Sequence, residues 1–371
     1  MPVDILHGAN ASGAAARLLH QNDLDPNLLR PYRSDDPRDP NTYVIVNQWS
    51  EEKQEYVPTP VIRNPVNNAY ASDLGISTLR VREWIQLDQA VLRVARPRLG
   101  LVSDLRDAGL EYTIPNGMGK TVLQYQTRSA PGKATLSMDG LRRSTNDRPL
   151  YDLRSLPLPI AHEDFTITYR ELMTSRNSGT PLDTSMAEDA AVRVAELVEQ
   201  LALGTADGLT YAGATIQGLT NFSDRLTYVL ANPTDGGWTP NQTFNDVLAM
   251  KQASMNDFHF GPWTLYCSHE WSQYLDADYS AAYGNMSLRQ RLMQIENLQG
   301  VKTLDFLTGY QMILVEKQTR TIREVIGMDF VTLQWPGEGG MEMNCKIMCI
   351  MVPQLRSDYN GNVGIVHGNV A

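Results

Sequence analysis

Residues Asn116-Gly117-Met118-Gly119-Lys120-Thr121 end as a phosphate-binding loop ends, in glycine, lysine and threonine. Such a loop cradles phosphates with backbone N–H groups and sets its lysine on them. The motif requires a glycine five positions before the second glycine, and Ile114 stands there instead. It also requires a helix after the lysine and threonine, whose N-terminus holds the anion. Here Val122, Gln124, Gln126 and Arg128 alternate with Leu123, Tyr125 and Thr127, the period of a strand. The segment reads as a glycine turn that enters a strand.

The other candidates for chemistry fall in the same way. His162-Glu163-Asp164 and His269-Glu270 each lack a second histidine four residues after the first, so neither makes a zincin pair. Both sit at expected element starts, where acidic residues are ordinary. Cys345 and Cys349 share one face of an expected strand, with no histidine close in sequence, and core packing is the better reading. Met341, Met343, Met348 and Met351 read as core or interface. No serine lies in a G-x-S-x-G elbow, and no G-x-G-x-x-G follows a strand. The sequence therefore assigns no catalytic residue, no cofactor-binding residue, no metal ligand and no cofactor.

Bulk properties narrow the remaining classes. With 371 residues and 42% hydrophobic content the chain can build a sizeable core. A formal net charge of -10 argues against a basic nucleic-acid-binding face, though not against a container that encloses nucleic acid. Three cysteines, Cys267, Cys345 and Cys349, imply a reducing compartment and no disulfide framework. The start lacks the basic and apolar regions of a signal peptide, and Ile347–Val352 is far too short to span a bilayer. The expectation is a soluble protein made in a cytoplasm.

The elements that would position these residues follow from periodicity. Up to about residue 75, closely spaced prolines leave only a short helix over Ala11–Gln21 and one strand over Tyr43–Trp49. Tyr32, Tyr43, Val44, Ile45, Val46, Trp49 and Tyr56 favour an extended arm over a solvated linker. A helix is expected over Ser77–Ala95, with Leu79, Ile85, Val91, Leu92 and Ala95 apolar and Pro97 as breaker. A short helical turn is expected over Gly100–Ala108 with Gly109 as its stop.

The strand that begins at Lys120 and a second over Asp164–Tyr169 flank a long polar stretch, which suggests a projecting hairpin with too little core to stand alone. The strongest helix follows. Ala187, Ala191, Val194, Leu197, Val198 and Leu201 form its stripe, Ser185 with Glu188 fits a capping box, and Asp189 can pair with Arg193. Beyond a turn near Gly218, helices are expected at 243–256, 269–276 and 287–297, and strands at 263–268, 301–305, 310–317, 322–334 and 341–353. This is an α+β chain.

The order of elements resembles the HK97-type capsid fold of tailed-bacteriophage major capsid proteins, in its encapsulin-like branch. Arg82-Glu83-Trp84-Ile85 through Asp88 and on to Gly109-Leu110-Glu111-Tyr112 is similar to the segment before the extended loop of that branch. Ile216-Gln217-Gly218-Leu219-Thr220-Asn221 resembles the turn after its spine helix, and Trp263–Ser268 followed by His269–Leu275 resembles a strand and helix of its axial domain. The resemblance implies an N-terminal arm over 1–76, a peripheral-domain helix and connector over 77–119, and an extended-loop (E-loop) hairpin over 120–168. It further implies a peripheral (P) domain with the spine helix over 169–215, an axial (A) domain over 216–340, and a C-terminal strand over 341–371 that returns to the peripheral domain.

The function so implied is structural and not enzymatic. Pentamers and hexamers of this chain would assemble into an icosahedral shell around a double-stranded DNA genome, in the virion, after assembly in the host bacterial cytoplasm. Portal, scaffold or cement (decoration) proteins would be its partners, and the DNA would be enclosed without sequence-specific binding. An encapsulin-type nanocompartment around protein cargo is the alternative, and an unrecognised soluble α+β enzyme the third reading. Some members of the family crosslink an extended-loop lysine to an asparagine. Lys133 is the lysine near the hairpin tip and Asn360, Asn362 and Asn369 come late, but the motif match is too poor to carry that reaction over.

Overall fold

The computed structural model describes residues 32–33, 42–50, 55–62, 79–129, 136, 138, 141, 148, 150–179, 181–279, 286–337 and 341–370. The helix expected over residues 11–21, and Lys133, lie outside them.

Strands β1 (Tyr32–Arg33), β2 (Thr42–Ser50) and β3 (Glu55–Ile62) form one antiparallel sheet in the order β1-β2-β3. The sequence suggested only the middle strand, because Pro58 and Pro60 argue against a strand. Both prolines lie in β3, which is an edge. Two positions apart, their missing N–H groups fall on the same side of the strand, where an edge tolerates them.

Helix α1 (Val81–Arg98) starts later than expected and runs one residue past Pro97. Its buried stripe is Trp84, Leu87, Val91 and Ala95, while Ile85 and Leu92 are only half-buried. Helix α2 (Gly100–Asp107) buries Leu101, Val102 and Leu105, and Gly109 ends the segment at φ +69° as anticipated. After β4 (Glu111–Thr113), a 3-10 turn over Gly117–Gly119 leads into β5 (Val122–Arg128).

Strand β5 pairs with β6 (Tyr151–Pro157), from Val122 opposite Pro157 to Arg128 opposite Tyr151. The strand expected over 164–169 is therefore not the hairpin's return. It is part of β7 (Ala161–Thr168), which pairs instead with the late strand β15 (Glu342–Leu355). Between them in sequence come α3 (Tyr169–Ser178), the long helix α4 (Ser185–Leu203), the two-residue strands β8 (Thr210–Tyr211) and β9 (Ala214–Thr215), and β10 (Leu226–Leu230). The expected capping box at Ser185 does not form. Asp183 accepts the Ser185 N–H at 2.9 Å, and Thr184 donates to Glu188 at 3.1 Å. Leu197 of the expected stripe is exposed.

The remaining elements are α5 (Pro240–Asn256), β11 (Trp263–Ser268), α6 (Ser272–Asp276), α7 (Leu288–Met293), β12 (Leu298–Leu304), β13 (Gln311–Glu316), β14 (Ile322–Pro336), β15 and β16 (Ile365–Val370). Helix α7 stops well short of residue 297, where Asn297 takes φ +63°.

Two sheets organise the core. One has the order β4-β14-β15-β7, the other β10-β16-β13-β11-β12. Strand β14 belongs with β15 and not with the 216–340 stretch that surrounds it in sequence, and β16 leaves β15's sheet for the other. Strand β15 is buried on both faces. Met343, Cys345, Ile347, Cys349 and Met351 face the helices α1, α2 and α4, while Met348, Ile350 and Val352 face the root of the hairpin. Strand β11 divides likewise: Tyr266 joins the first of these cores, and Leu265 and Cys267 join a separate one under α5–α7. Side-chain alternation thus puts one strand into two cores.

Candidate functional site

Among the described residues, the apolar contacts of the hairpin β5–β6 with the body lie at its root. Leu156, Leu158 and the half-buried Leu123 and Tyr125 pack on Ile114, Val325, Met348 and Ile350 of the sheet beneath. Farther out, the described residues change character. Leu150, Tyr151 and Leu153 are exposed, and at the distal end Leu136, Met138 and Leu141 are 100%, 106% and 82% exposed. No described strand other than β6 pairs with β5. Each such side chain is worth about 1.5–3 kcal/mol once removed from water. A two-stranded projection with apolar side chains exposed at its distal end has little core of its own.

The N-terminal sheet is tied to the body at one described point. Tyr32 packs on the core beside α1 and stacks on Tyr43 with ring centroids 5.8 Å apart.

The positions that suggested chemistry make the following contacts. Asn116 takes φ +56° and its side chain accepts the Gly119 N–H at 3.0 Å. A Cβ on Gly117 would lie 2.4 Å from the carbonyl oxygen of Gly327 on β14, so the glycine is there for close backbone approach. Glu163 on β7 accepts from Arg193 of α4 at 2.7 Å, in place of the expected Asp189–Arg193 pair, and Asp164 lies 3.4 Å from Lys346. His269 lies 3.4 Å from Glu270, which accepts the Gly309 N–H at 2.9 Å. Cys345 and Cys349 are fully buried in one core. Burial pushes the Cys267 thiol up to about 12 and the Cys349 thiol well above its usual range, so neither is a nucleophile. Met341 is exposed, unlike the other three methionines of its group. Asn360 and Asn362 hydrogen-bond Asp358, and Asn369 lies exposed on β16. Among the described residues no cluster of metal ligands occurs, and no helix is long and apolar enough to cross a membrane.

The buried carboxylates Asp104, Glu199 and Glu316 bond across elements, Glu324 is buried without a hydrogen-bond partner among the described residues, and none of these was singled out in the sequence. Asp104 of α2 accepts from Lys302 of β12 and from Lys317, each at 2.5 Å, and from the Tyr266 hydroxyl. Burial alone would raise its pKa, but these three donors outweigh it and hold the carboxyl below the usual range. Glu316, at the end of β13, accepts from His259, from the Gly261 N–H at 3.1 Å, from Arg320 at 2.7 Å and from Thr321 at 2.8 Å. Burial opposes its ionisation, yet His259, Arg320 and Thr321 bring it down to about 2. Glu199 and Glu324 go the other way, since burial lifts them to about 7 and about 8. The legible signal was a lone acid inside an apolar run, as in Ile313-Leu314-Val315-Glu316 and Arg323-Glu324-Val325-Ile326.

Residues 72–368 match a family of unknown function, DUF6260. The Type 1 encapsulin shell protein EncA of Myxococcus xanthus (strain DK1622) is 24% identical over 262 residues, which cover 68% of this chain and 82% of that protein. A virus-like particle from Pyrococcus furiosus superposes with a TM-score of 0.55 at 16% identity, covering 76% of this chain and 97% of that one. The capsid of Myoviridae phage XM1 gives a TM-score of 0.54 at 11% identity, covering 73% and 92%. The fold is the HK97-type capsid fold that the order of elements implied, a shell-forming fold, and the encapsulin likeness accords with the encapsulin-like branch.

Proposed function

We propose that this chain, which belongs to the DUF6260 family of unknown function, is a major capsid protein that self-assembles into an icosahedral shell around a phage double-stranded DNA genome. The observation that carries this reading is the hairpin β5–β6, which pairs with no other described strand and exposes the apolar side chains of Leu136 and Met138 to solvent. A neighbouring copy covers them in a closed shell, where many modest contacts add through avidity. The role is structural, and no residue is assigned a catalytic part.

In this reading the extended loop is the β5–β6 hairpin. The peripheral domain comprises α1, α2, α4 and the β4-β14-β15-β7 sheet, and the axial domain comprises the β10-β16-β13-β11-β12 sheet with α5–α7. Pentamers and hexamers form around the axial domains. The N-terminal strands β1–β3 belong to an arm that ties neighbours together. A net charge of -10 suits an enclosing wall, since it avoids adhesion to packaged DNA. Portal and scaffold or cement proteins complete the assembly in the host cytoplasm, and the mature location is the virion.

A nanocompartment shell with protein cargo is the second reading, favoured by the likeness to the Myxococcus xanthus encapsulin. The long proline-rich stretch ahead of α1 favours the capsid. Cryo-electron microscopy of purified particles tests both. Particles filled with double-stranded DNA support the capsid, and particles with internal protein density support the compartment. A chain that stays monomeric with every candidate scaffold co-expressed contradicts both.

A further inference from the structure

A cavity of about 310 Å³ opens at the root of the hairpin, lined by Tyr125, Arg154, Leu156, Thr215, Phe222 and Leu355 among others. Its electrostatics are unlike those of the chain as a whole. Arg154 sits directly opposite Tyr125 in the hairpin register. Arg356 lies over the Tyr125 ring, 5.7 Å from its centroid. Arg323 lies over the adjacent Tyr112 ring at 4.2 Å, close enough for its charge to reach the Tyr125 phenol.

These three guanidinium groups face two carboxylates, both held by Arg154: Asp224, and Asp152 at 3.7 Å. Asp224 is committed to Arg154 at 3.1 Å and to the Ser357 hydroxyl at 2.5 Å. Neither Arg323 nor Arg356 meets a carboxylate among the described residues. Arg323 donates to the Gln354 side-chain oxygen, and Arg356 reaches only the Thr319 carbonyl, at 3.5 Å. Three positive charges against two negative leave +1 here, carried by Arg323 and Arg356, in a chain of net charge -10. Gln354, fully buried beside Arg323, keeps an unpartnered side-chain N–H group. Burial and the Arg356 charge together lower the Arg323 pKa, so the two cations repel across a partly desolvated gap.

We propose that the arginine cluster around Tyr125, beside this cavity, is an oxyanion-binding site, in which the forks of Arg356 and Arg323 receive a phosphate or carboxylate group. Planar guanidinium groups match such oxygens two by two, and a bound anion relieves the repulsion between them. The oxyanion has two available sources, a free phosphate or an acidic side chain of a second copy seated against the hairpin root. The site does not depend on what any shell encloses.

The test uses the full chain as wild type, Arg356→Gln and Arg356→Lys, with inorganic phosphate titrated against chloride at matched ionic strength. Melting temperature and assembly by analytical ultracentrifugation are read together. Phosphate is expected to raise the wild-type Tm by about 2–5 °C near saturation. Arg356→Gln should remove the shift, and Arg356→Lys, which keeps the charge and loses the fork, should weaken phosphate binding about tenfold. A shift seen with dispersed chain and absent from assembled particles assigns the site to a neighbour's carboxylate. A shift retained in particles assigns it to free phosphate. A phosphate-insensitive wild type whose Arg356→Gln variant keeps its Tm but fails to assemble also assigns the neighbour's carboxylate. Equal responses to phosphate and chloride, with wild-type assembly of both variants, overturn the proposal.

Discussion

Glu199 accepts the backbone N–H of Leu101 at 2.6 Å, so the long helix α4 closes the open first turn of α2 with a buried carboxyl. The same carboxyl takes the Val102 N–H at 3.3 Å. Both donors are orphan N–H groups of a helix start, on residues fully buried in the core. The contact fixes how two helices of the main core meet.

Removal of that carboxyl strands two buried donors. Glu199→Ala is expected to cost about 1–3 kcal/mol in urea unfolding. Glu199→Gln keeps an acceptor oxygen of the same reach and should stay within about 1 kcal/mol of wild type below pH 6. Equal losses in the two variants would show that volume matters and the hydrogen bonds do not.

Glu324 sets an alkaline limit. Its carboxyl is fully buried without a hydrogen-bond partner, and burial raises it from 4.5 to about 8, with Glu199 adding to the shift and Arg106 opposing it. A raised acid favours the folded state in its neutral form. That stability is fully present below about pH 4.5 and is lost as pH rises to about 8. Glu324→Gln should therefore flatten Tm between pH 5 and 9 and exceed wild type at the alkaline end. Parallel Tm profiles for the two proteins would refute this.

Glu316 acts at the opposite end of the pH scale. Its depressed pKa, about 2, contributes stability that is present above 4.5 and lost as pH falls toward 2. Glu316→Ala leaves Arg320 and the Gly261 N–H without their acceptor and should cost about 2–4 kcal/mol at pH 7. The gap from wild type should narrow below pH 4, as followed by calorimetry.

The lysine–threonine sequence at Lys120 offers a direct comparison. Gly117→Ala forces a Cβ into the backbone of Gly327 and should destabilise by about 1–3 kcal/mol or more. Lys120→Ala alters an exposed side chain and should change stability by less than about 0.5 kcal/mol. Chemical denaturation of both variants measures the contrast, and a large loss in Lys120→Ala would reopen the phosphate-loop reading.

The hairpin tip separates assembly from folding. Leu136→Ser combined with Met138→Ser and Leu141→Ser replaces side chains that touch water in the subunit. Sedimentation should show assembly lost while Tm of the dispersed chain is unchanged. A fall in Tm of several degrees would place those residues in the subunit's own core.

Much of the fold was legible because its signals are local. The apolar stripe of α4 repeats at helical spacing, and Gly109 stands where α2 must stop. Within β15 the segment Ile347–Val352 reads as a continuous apolar run, as a stretch of strand buried on both faces does. The positions that suggested chemistry were read as turn, cap and core, and their contacts are of those kinds.

What each element touches is a different kind of information, and only the tertiary structure decided it. Alternation marks residues 164–168 as strand with two faces, but it carries nothing about whether β5 or β15 lies alongside. The same holds for Arg193, which is one helical turn from Asp189 yet bonds Glu163 across the sheet. Glu199, Glu316, Glu324 and Asp104 stand in the sequence as ordinary acids. Their surroundings are set by distant segments, which bring donors to them, as Lys302 does to Asp104 from 198 residues away, or bury them with no donor among the described residues. The sequence by itself determined the elements with strong local periodicity, such as α4 and the apolar part of β15, while β3 and β6 were left unread. Partner choice depends on long-range closure and burial, which no local pattern encodes.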